Sequence, residues 1–283
     1  MNLREMSLPP GWYPRQKDKI VEFLASAGCD APFARAGEAG SARAAIAPHA
    51  GWFYSGQTAA AAVSSLSPDA ETVAVIGGHL PRGIDILIAP EEGVKTPLGT
   101  MMVDLELLEE FKKQVSSKPD RFSDNTVEIL LPMVHYFFPQ AKLLWLRFPA
   151  EEKSYDAGKI LAKTAADLGR SIVVLASTDL THYGENYGFS PMGRGKTALE
   201  WVKKVNDAAF ISSVLEGNPY NVLKRAEEDS SACSAGAVLG SLGFAVSNGK
   251  TRSKLLEYRT SADVSADDEV PSSFVGYAAI SLG

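Results

Sequence analysis

Three histidines in this chain follow directly on short apolar runs. His49 comes after Ala45-Ile46-Ala47 in Pro48-His49-Ala50-Gly51, and His79 comes after Val73-Ala74-Val75-Ile76 in Gly77-Gly78-His79. His182 closes Ser177-Thr178-Asp179-Leu180-Thr181-His182, which follows Ile172-Val173-Val174-Leu175-Ala176. Imidazole is the side chain of metal ligation and of proton transfer near neutral pH. Asp179, three residues before His182, is a carboxylate of the kind that orients a ligand imidazole through its second nitrogen. A lone histidine after a strand is as well read as a turn residue or a satisfied core donor. Three at equivalent positions, one beside an acid, are poorly explained by independent chance and point to a metal or acid/base site.

Cys233 adds a softer donor. It follows Glu227-Glu228-Asp229-Ser230-Ser231-Ala232 and opens an apolar run of helical character. A thiol at a helix N-terminus is biased toward thiolate, the form that binds metal or attacks electrophiles. The other reading is a buried structural cysteine in a run rich in small residues, and spacing leaves both open. Cys29 has no chemistry-bearing neighbours, and His135, within Leu131-Pro132-Met133-Val134-His135-Tyr136-Phe137-Phe138, reads as a packing residue. Glu128 is open between a solvated acid, a cap-region charge and a carboxylate aimed at the site. Tyr54 is open between pocket wall and core.

The elements that must position these residues are buried strands alternating with helices. Arg43 to Ala47, Thr72 to Ile76, Ala141 to Phe148 and Ser171 to Ala176 are apolar runs of strand length bounded by Gly, Pro, Ser or charged residues. Gln57 to Leu66, Asp104 to Gln114, Val127 to Phe138, Tyr155 to Leu168 and Thr197 to Leu215 read as helices, with another beginning near Cys233. Lys254 to Arg259 and Phe274 to Ile280 read as late strands. This order predicts an α/β fold, a largely parallel central sheet flanked by helices, in one domain over residues 1–283. Ligands of such sheets bind at the carboxyl edge, where the three histidines fall.

Composition excludes several classes. The chain of 283 residues is 45% hydrophobic and 22% charged, which is ordinary for a folded protein and rules out disorder and disulfide-rich scaffolds. Dispersed charges, 28 basic against 34 acidic, give a net −6 with no basic cluster, so nucleic acid is not an expected partner. Two distant cysteines fit a reducing compartment. Met1 to Pro10 lacks the apolar core of a signal peptide, and no run is long enough to span a membrane. A cytoplasmic protein with no membrane partner is expected. No glycine-rich fingerprint supports a dinucleotide or nucleoside triphosphate site.

At these same residues the sequence resembles the Memo family, whose prokaryotic members are called AmmeMemoRadiSam system protein B. The likeness runs through Gly11-Trp12-Tyr13-Pro14, Pro48-His49-Ala50-Gly51-Trp52, Tyr54-Ser55-Gly56, Gly78-His79 and Val127-Glu128-Ile129-Leu130-Leu131-Pro132. It continues through Ser177-Thr178-Asp179-Leu180-Thr181-His182-Tyr183, Ala232-Cys233, Tyr258-Arg259-Thr260-Ser261-Ala262-Asp263-Val264 and Val275-Gly276-Tyr277-Ala278-Ala279. The resemblance implies a fold similar to class III extradiol (LigB-type) dioxygenases. It also implies that His49, His79 and Cys233 match the metal site, with Asp179 and His182 at adjacent acid/base-like positions. Leu80, Asn125 and Ser234 depart from the family pattern, the first two where a histidine is common, and make the pocket less basic.

Three functions follow as expectations. One is a metal-dependent, dioxygenase-like oxidoreductase with iron or copper, in which His182 and Asp179 move a proton. Another is a non-catalytic module of the Memo type that binds a peptide or partner. The last is a zinc hydrolase, since a thiolate among imidazoles suits zinc or copper(I). The ligand is an unknown small molecule or peptide, and the family name implies a radical-SAM system partner.

Overall fold

A computed structural model of the chain describes residues 1–29, 40–249, 252–264 and 269–283. Four strands, Ala44–Ala47, Ile172–Ser177, Thr72–Gly77 and Lys142–Arg147, lie side by side in that order and run parallel. Their residues are buried almost throughout because helices cover both faces, which is why they read as unbroken apolar runs. Successive side chains point to opposite faces. Ile46, Ala74, Ile76, Leu144 and Val174 meet the layer formed by helices Lys153–Asp167 and Ala235–Ser247. Ala45, Ala47, Val73, Val75, Leu143 and Val173 meet the layer that contains helix Trp52–Ser64.

The parallel expectation holds for this centre and not for its flanks. Ser273–Leu282 pairs antiparallel with Ala44–Ala47 and carries Ser253–Thr260 and His182–Gly184 as antiparallel partners. Beyond Lys142–Arg147, Ile86–Ile88 is antiparallel to it and parallel to Ser117–Pro119. Ser253–Thr260 and Ser273–Leu282 pair antiparallel along most of their length, and the first runs directly into a short helical turn, Ser261–Asp263. A three-stranded sheet of Leu3–Arg4, Gly93–Thr96 and Gly99–Met102 stands apart.

Helix ends differ from the sequence expectation for local reasons. The helix expected from Gln57 begins at Trp52, whose amide donates to the Trp12 carbonyl at 2.8 Å and so gains a partner outside the helix. The helix expected over Val127 to Phe138 is two, Asn125–Glu128 and Leu131–Phe137, because Pro132 suits a first turn and not an interior. The helix expected from Cys233 begins at Ala235 with Ser234 at its cap position, which leaves Cys233 just ahead of it. The Thr197 to Leu215 helix contains a π-helical segment, Val202–Asn206. Helices Lys17–Ser26 and Pro219–Glu228 add to the expected set. No helix among the described residues is long and apolar enough to cross a membrane.

Helices Lys153–Asp167 and Ala235–Ser247 touch backbone to backbone. A methyl group added at Gly158 would overlap the Gly240 carbonyl, and one at Gly243 would overlap that of Tyr155. The small residues following Cys233 therefore serve close packing over the sheet.

Candidate metal centre

The four parallel strands end at one edge, where three of them hand the chain to turns bearing His49, His79 and Asp179, and the fourth ends in Arg147. Ala47 leads through Pro48 to His49, whose ring is buried. Its Nδ1 lies 2.8 Å from Ser177 Oγ, and its Nε2 lies 3.2 Å from Cys233 Sγ. The Ser177 contact occupies one ring nitrogen and aims the other at the thiol. The His49 amide donates to Asp179 Oδ1 at 2.7 Å, and the His49 carbonyl accepts from Asn125 Nδ2 at 2.9 Å. The turn is thus held on both sides.

Gly77 and Gly78 bring the next strand to His79. A Cβ on Gly77 would strike Thr126 Oγ1, and one on Gly78 would strike the Ser234 side chain, so both positions need the close approach glycine allows. His79 itself has φ +57°, a strained conformation for a side-chain-bearing residue. Three bonds hold this turn. Gly78 N–H donates to Thr126 Oγ1 at 3.2 Å, Arg147 Nε donates to the Gly78 carbonyl at 3.0 Å, and His79 Nδ1 lies 3.1 Å from Asp124 Oδ2. Arg147 Nη2 is 3.1 Å from the same Asp124 oxygen, and its Nη1 is 3.4 Å from Asp120 Oδ1. The buried guanidinium is therefore paired on two sides.

The His49 and His79 rings meet edge to face with centroids 4.9 Å apart. One ligand atom from each of His49, His79 and Cys233 can be chosen so that all lie within 4.8 Å of one another. Burial opposes charge on this thiol, but the two imidazoles outweigh it and hold Cys233 well below the ordinary thiol range. Burial likewise opposes charge on His79, yet hydrogen bonds to Asp124 and Cys233 push it up to about 10. His49 is raised as well, its burial outweighed by Cys233 and Asp179. The two imidazoles thus favour the thiolate form of Cys233. Two imidazoles fixed through their Nδ1 atoms and one thiolate fit a soft or borderline divalent cation.

A cavity of about 860 Å³ opens in front of these residues. His49, His79, Asp179 and His182 supply its ionisable groups, and Trp12, Tyr54, Tyr187 and Tyr277 line it with aromatic surface. No Lys or Arg is among its described lining residues. Asp179 is buried, which raises its carboxyl above the usual range, and its Oδ2 is 3.9 Å from His49 Nε2. His182 Nδ1 lies 3.1 Å from the Leu180 carbonyl, and its ring meets Tyr187 edge to face at 4.9 Å. That contact leaves Nε2 as the nitrogen free of the backbone.

The chain matches the profile of the family described as Memo-like protein over residues 4–281. It belongs to that family. A MEMO1 family protein of Pyrococcus abyssi is 30% identical over 286 residues, covering 95% of each chain. One of Methanosarcina mazei is 33% identical over 245 residues, covering 83% of this chain and 84% of its own. The crystal structure of an uncharacterized protein from Escherichia coli K12 covers 85% of this chain and 99% of its own at 12% identity, with a TM-score of 0.49.

In this Memo-like chain, His49, His79, Cys233 and Asp179 come together, with His182 on the same cavity. Tyr54 is a wall residue, half-exposed in the first turn of its helix. His135 stands apart, with Nδ1 2.7 Å from Thr96 Oγ1 and its pKa lowered by burial, as a packing histidine should. Glu128 does not face the centre. It accepts from Ser7 N, Ser7 Oγ, Leu8 N and Tyr13 Oη at 2.7–2.9 Å and so fastens the N-terminal segment that brings Trp12 to the cavity. Sequence reasoning missed Asp124, Arg147 and Ser177 as the groups that orient the two imidazoles. Ser177 is the first polar residue after the apolar run Ile172 to Ala176, a mark the sequence does carry, and the structure sets it opposite Ala47 in register.

Proposed function

We propose that this Memo-like protein is a metal-dependent oxidoreductase of dioxygenase-like character. In this reading His49, His79 and Cys233 hold iron or copper, and Asp179 and His182 manage a proton at the cavity wall. The observation that carries it is the convergence of two imidazoles, each held through Nδ1, and the Cys233 thiol, with both rings on the wall of an open cavity. The metal, when bound, supplies one-electron chemistry at a substrate or dioxygen. The chain's residues do the rest. Ser177 and Asp124 fix the imidazole rings, and Trp12, Tyr54 and Tyr277 offer flat apolar surface to a ligand and exclude water from part of the cavity. His182 Nε2, with Nδ1 turned to the Leu180 carbonyl, is placed to take or give a proton on the cavity side.

The donor set also favours a second reading. A thiolate replaces the carboxylate of the two-His-one-carboxylate iron pattern, which suits zinc and a hydrolytic role. Phosphopeptide recognition is the weakest fit, since the described lining offers no Arg or Lys fork for a phosphate.

Elemental analysis of protein purified anaerobically without added metal tests the proposal, beside a His49→Ala, Cys233→Ser double variant. Iron or copper near one per chain, lost in the variant, supports it and leads to oxygen-consumption assays. Stoichiometric zinc moves the reading to hydrolysis. No metal, and none taken up on titration, overturns both. In an active protein, His182→Ala should keep the metal and lose turnover, and intact turnover removes His182 from the mechanism.

A further inference from the structure

The His182 and Cys233 loops meet a common support below the cavity. The π-helical segment Val202–Asn206 interrupts the helix packed there, and such widened turns recur at functional sites. It delivers two adjacent polar residues, Asn206 and Asp207, into the interior, where Asn206 is 5% and Asp207 0% exposed. Asp207 Oδ1 accepts from the Thr181 amide at 3.1 Å and from the Thr181 hydroxyl, and its Oδ2 accepts from Tyr258 Oη at 2.7 Å. Asn206 Nδ2 donates to Thr181 Oγ1 at 2.9 Å and to the Asp229 carbonyl at 2.9 Å.

Those acceptors belong to the two working loops. Thr181 adjoins His182. The Asp229 carbonyl precedes Ser230, which has φ +49°, and the chain then reaches Cys233. Gly276 packs directly on Asp207, leaving no room for a Cβ, while its amide donates to the Thr181 carbonyl at 3.0 Å. A buried carboxylate needs donors to be kept, and here most come from the loop it holds. We propose that Asn206 and Asp207 are positioning residues that, through Thr181 and the Asp229 carbonyl, hold the His182 and Cys233 loops in register across the metal centre. This rests on the reading of His182 and Cys233 as working groups. An amide can replace the Asp207 carboxyl, keeping its oxygen for the Thr181 amide and hydroxyl and donating to the Tyr258 hydroxyl, which turns to accept.

The test uses the full chain as wild type, Asn206→Ala, Asp207→Ala, Asp207→Asn, Thr181→Val and Ile211→Val. Ile211 is a buried apolar residue on the same helix and controls for general destabilisation. Two quantities are read: the iodoacetamide alkylation rate of Cys233 in metal-free protein, resolved by mass spectrometry, and the dissociation constant for cobalt(II) chloride. Both alanine variants should shift the alkylation rate and weaken cobalt(II) binding by about fivefold, the effect of roughly one net hydrogen bond. Asp207→Asn and Ile211→Val should match wild type. Wild-type behaviour in the folded alanine variants, or an equal shift in Ile211→Val, overturns the proposal. If the alanine variants do not fold, Thr181→Val decides: a shift in both readouts supports the brace, and no shift overturns it. If wild type binds no cobalt(II), the metal reading fails by itself, and the brace is judged on Cys233 alkylation.

Discussion

Asp124 and Arg147 form a partly buried ion pair whose carboxylate oxygen is shared with a histidine: Asp124 Oδ2 lies 3.1 Å from Arg147 Nη2 and 3.1 Å from His79 Nδ1. The guanidinium also grips the carbonyl of Gly78, so it fixes both the turn that carries His79 and the carboxylate that orients its ring. Replacing Asp124 by Asn should leave the fold intact and weaken metal binding by roughly 10- to 100-fold, as for other groups that orient ligand imidazoles. Competition titration against a coloured chelator measures it. Unchanged affinity would show that the turn alone suffices to aim His79.

The Asp124–His79 contact sets a pH window for the stability of the metal-free protein. Asp124 is held well below its ordinary 3.8, its burial outweighed by hydrogen bonds from His79 and Thr126 and by Arg147. Its contribution is therefore full above about pH 4 and lost as acid protonates the folded state. His79 is raised from 6.5 to about 10, so its contribution is full below 6.5 and disappears as pH rises toward 10. The stability difference between wild type and Asp124→Asn should be largest between these limits and shrink on either side. Urea denaturation across that range, with chelator present, checks it. A difference independent of pH would assign the pair a packing role only.

Much of this centre was legible before the fold was known, for a definable reason. Strands buried on both faces leave continuous apolar runs, and their ends are marked by the first polar residue, so His49, His79 and Asp179 could be placed on one edge. Cys233 was less clear, because a thiol ahead of a small-residue helix looks alike whether it packs or binds. The groups that orient the site left weaker traces. Asp124 caps a helix of four residues, too short for periodicity to announce. Arg147 closes a buried strand and passes for its boundary charge. Asn206 and Asp207 lie in a stretch that reads as an unbroken helix, and no pattern in side-chain type reveals a π turn.

Glu128 carries a different consequence. Its carboxylate holds Ser7, Leu8 and Tyr13, and the segment between them presents Pro10, Gly11 and Trp12 to the cavity. Glu128→Ala strands several donors and should cost about 3 kcal/mol of stability. It should also expose residues 7–13 to proteases while leaving metal affinity near that of wild type. Denaturation, limited proteolysis and metal titration on one preparation separate these effects. Loss of metal binding at equal foldedness would mean that the N-terminal segment supports the ligands and not just the cavity wall.

Gly78 and Ser234 join the two halves of the ligand set. A methyl group at Gly78 would run into Cβ and Oγ of Ser234, the neighbour of Cys233, so any side chain at Gly78 must push His79 and Cys233 apart or distort the strained turn between them. Gly78→Ala should cost about 1–3 kcal/mol, the usual range for overpacking, and weaken metal binding as well. Most of the obstructing atoms belong to the Ser234 side chain, so adding Ser234→Gly should recover much of both losses. A double-mutant cycle on stability and on metal affinity measures the coupling. Additive losses would place the strain in the His79 turn itself, where Gly78 serves the backbone rather than the approach of Cys233.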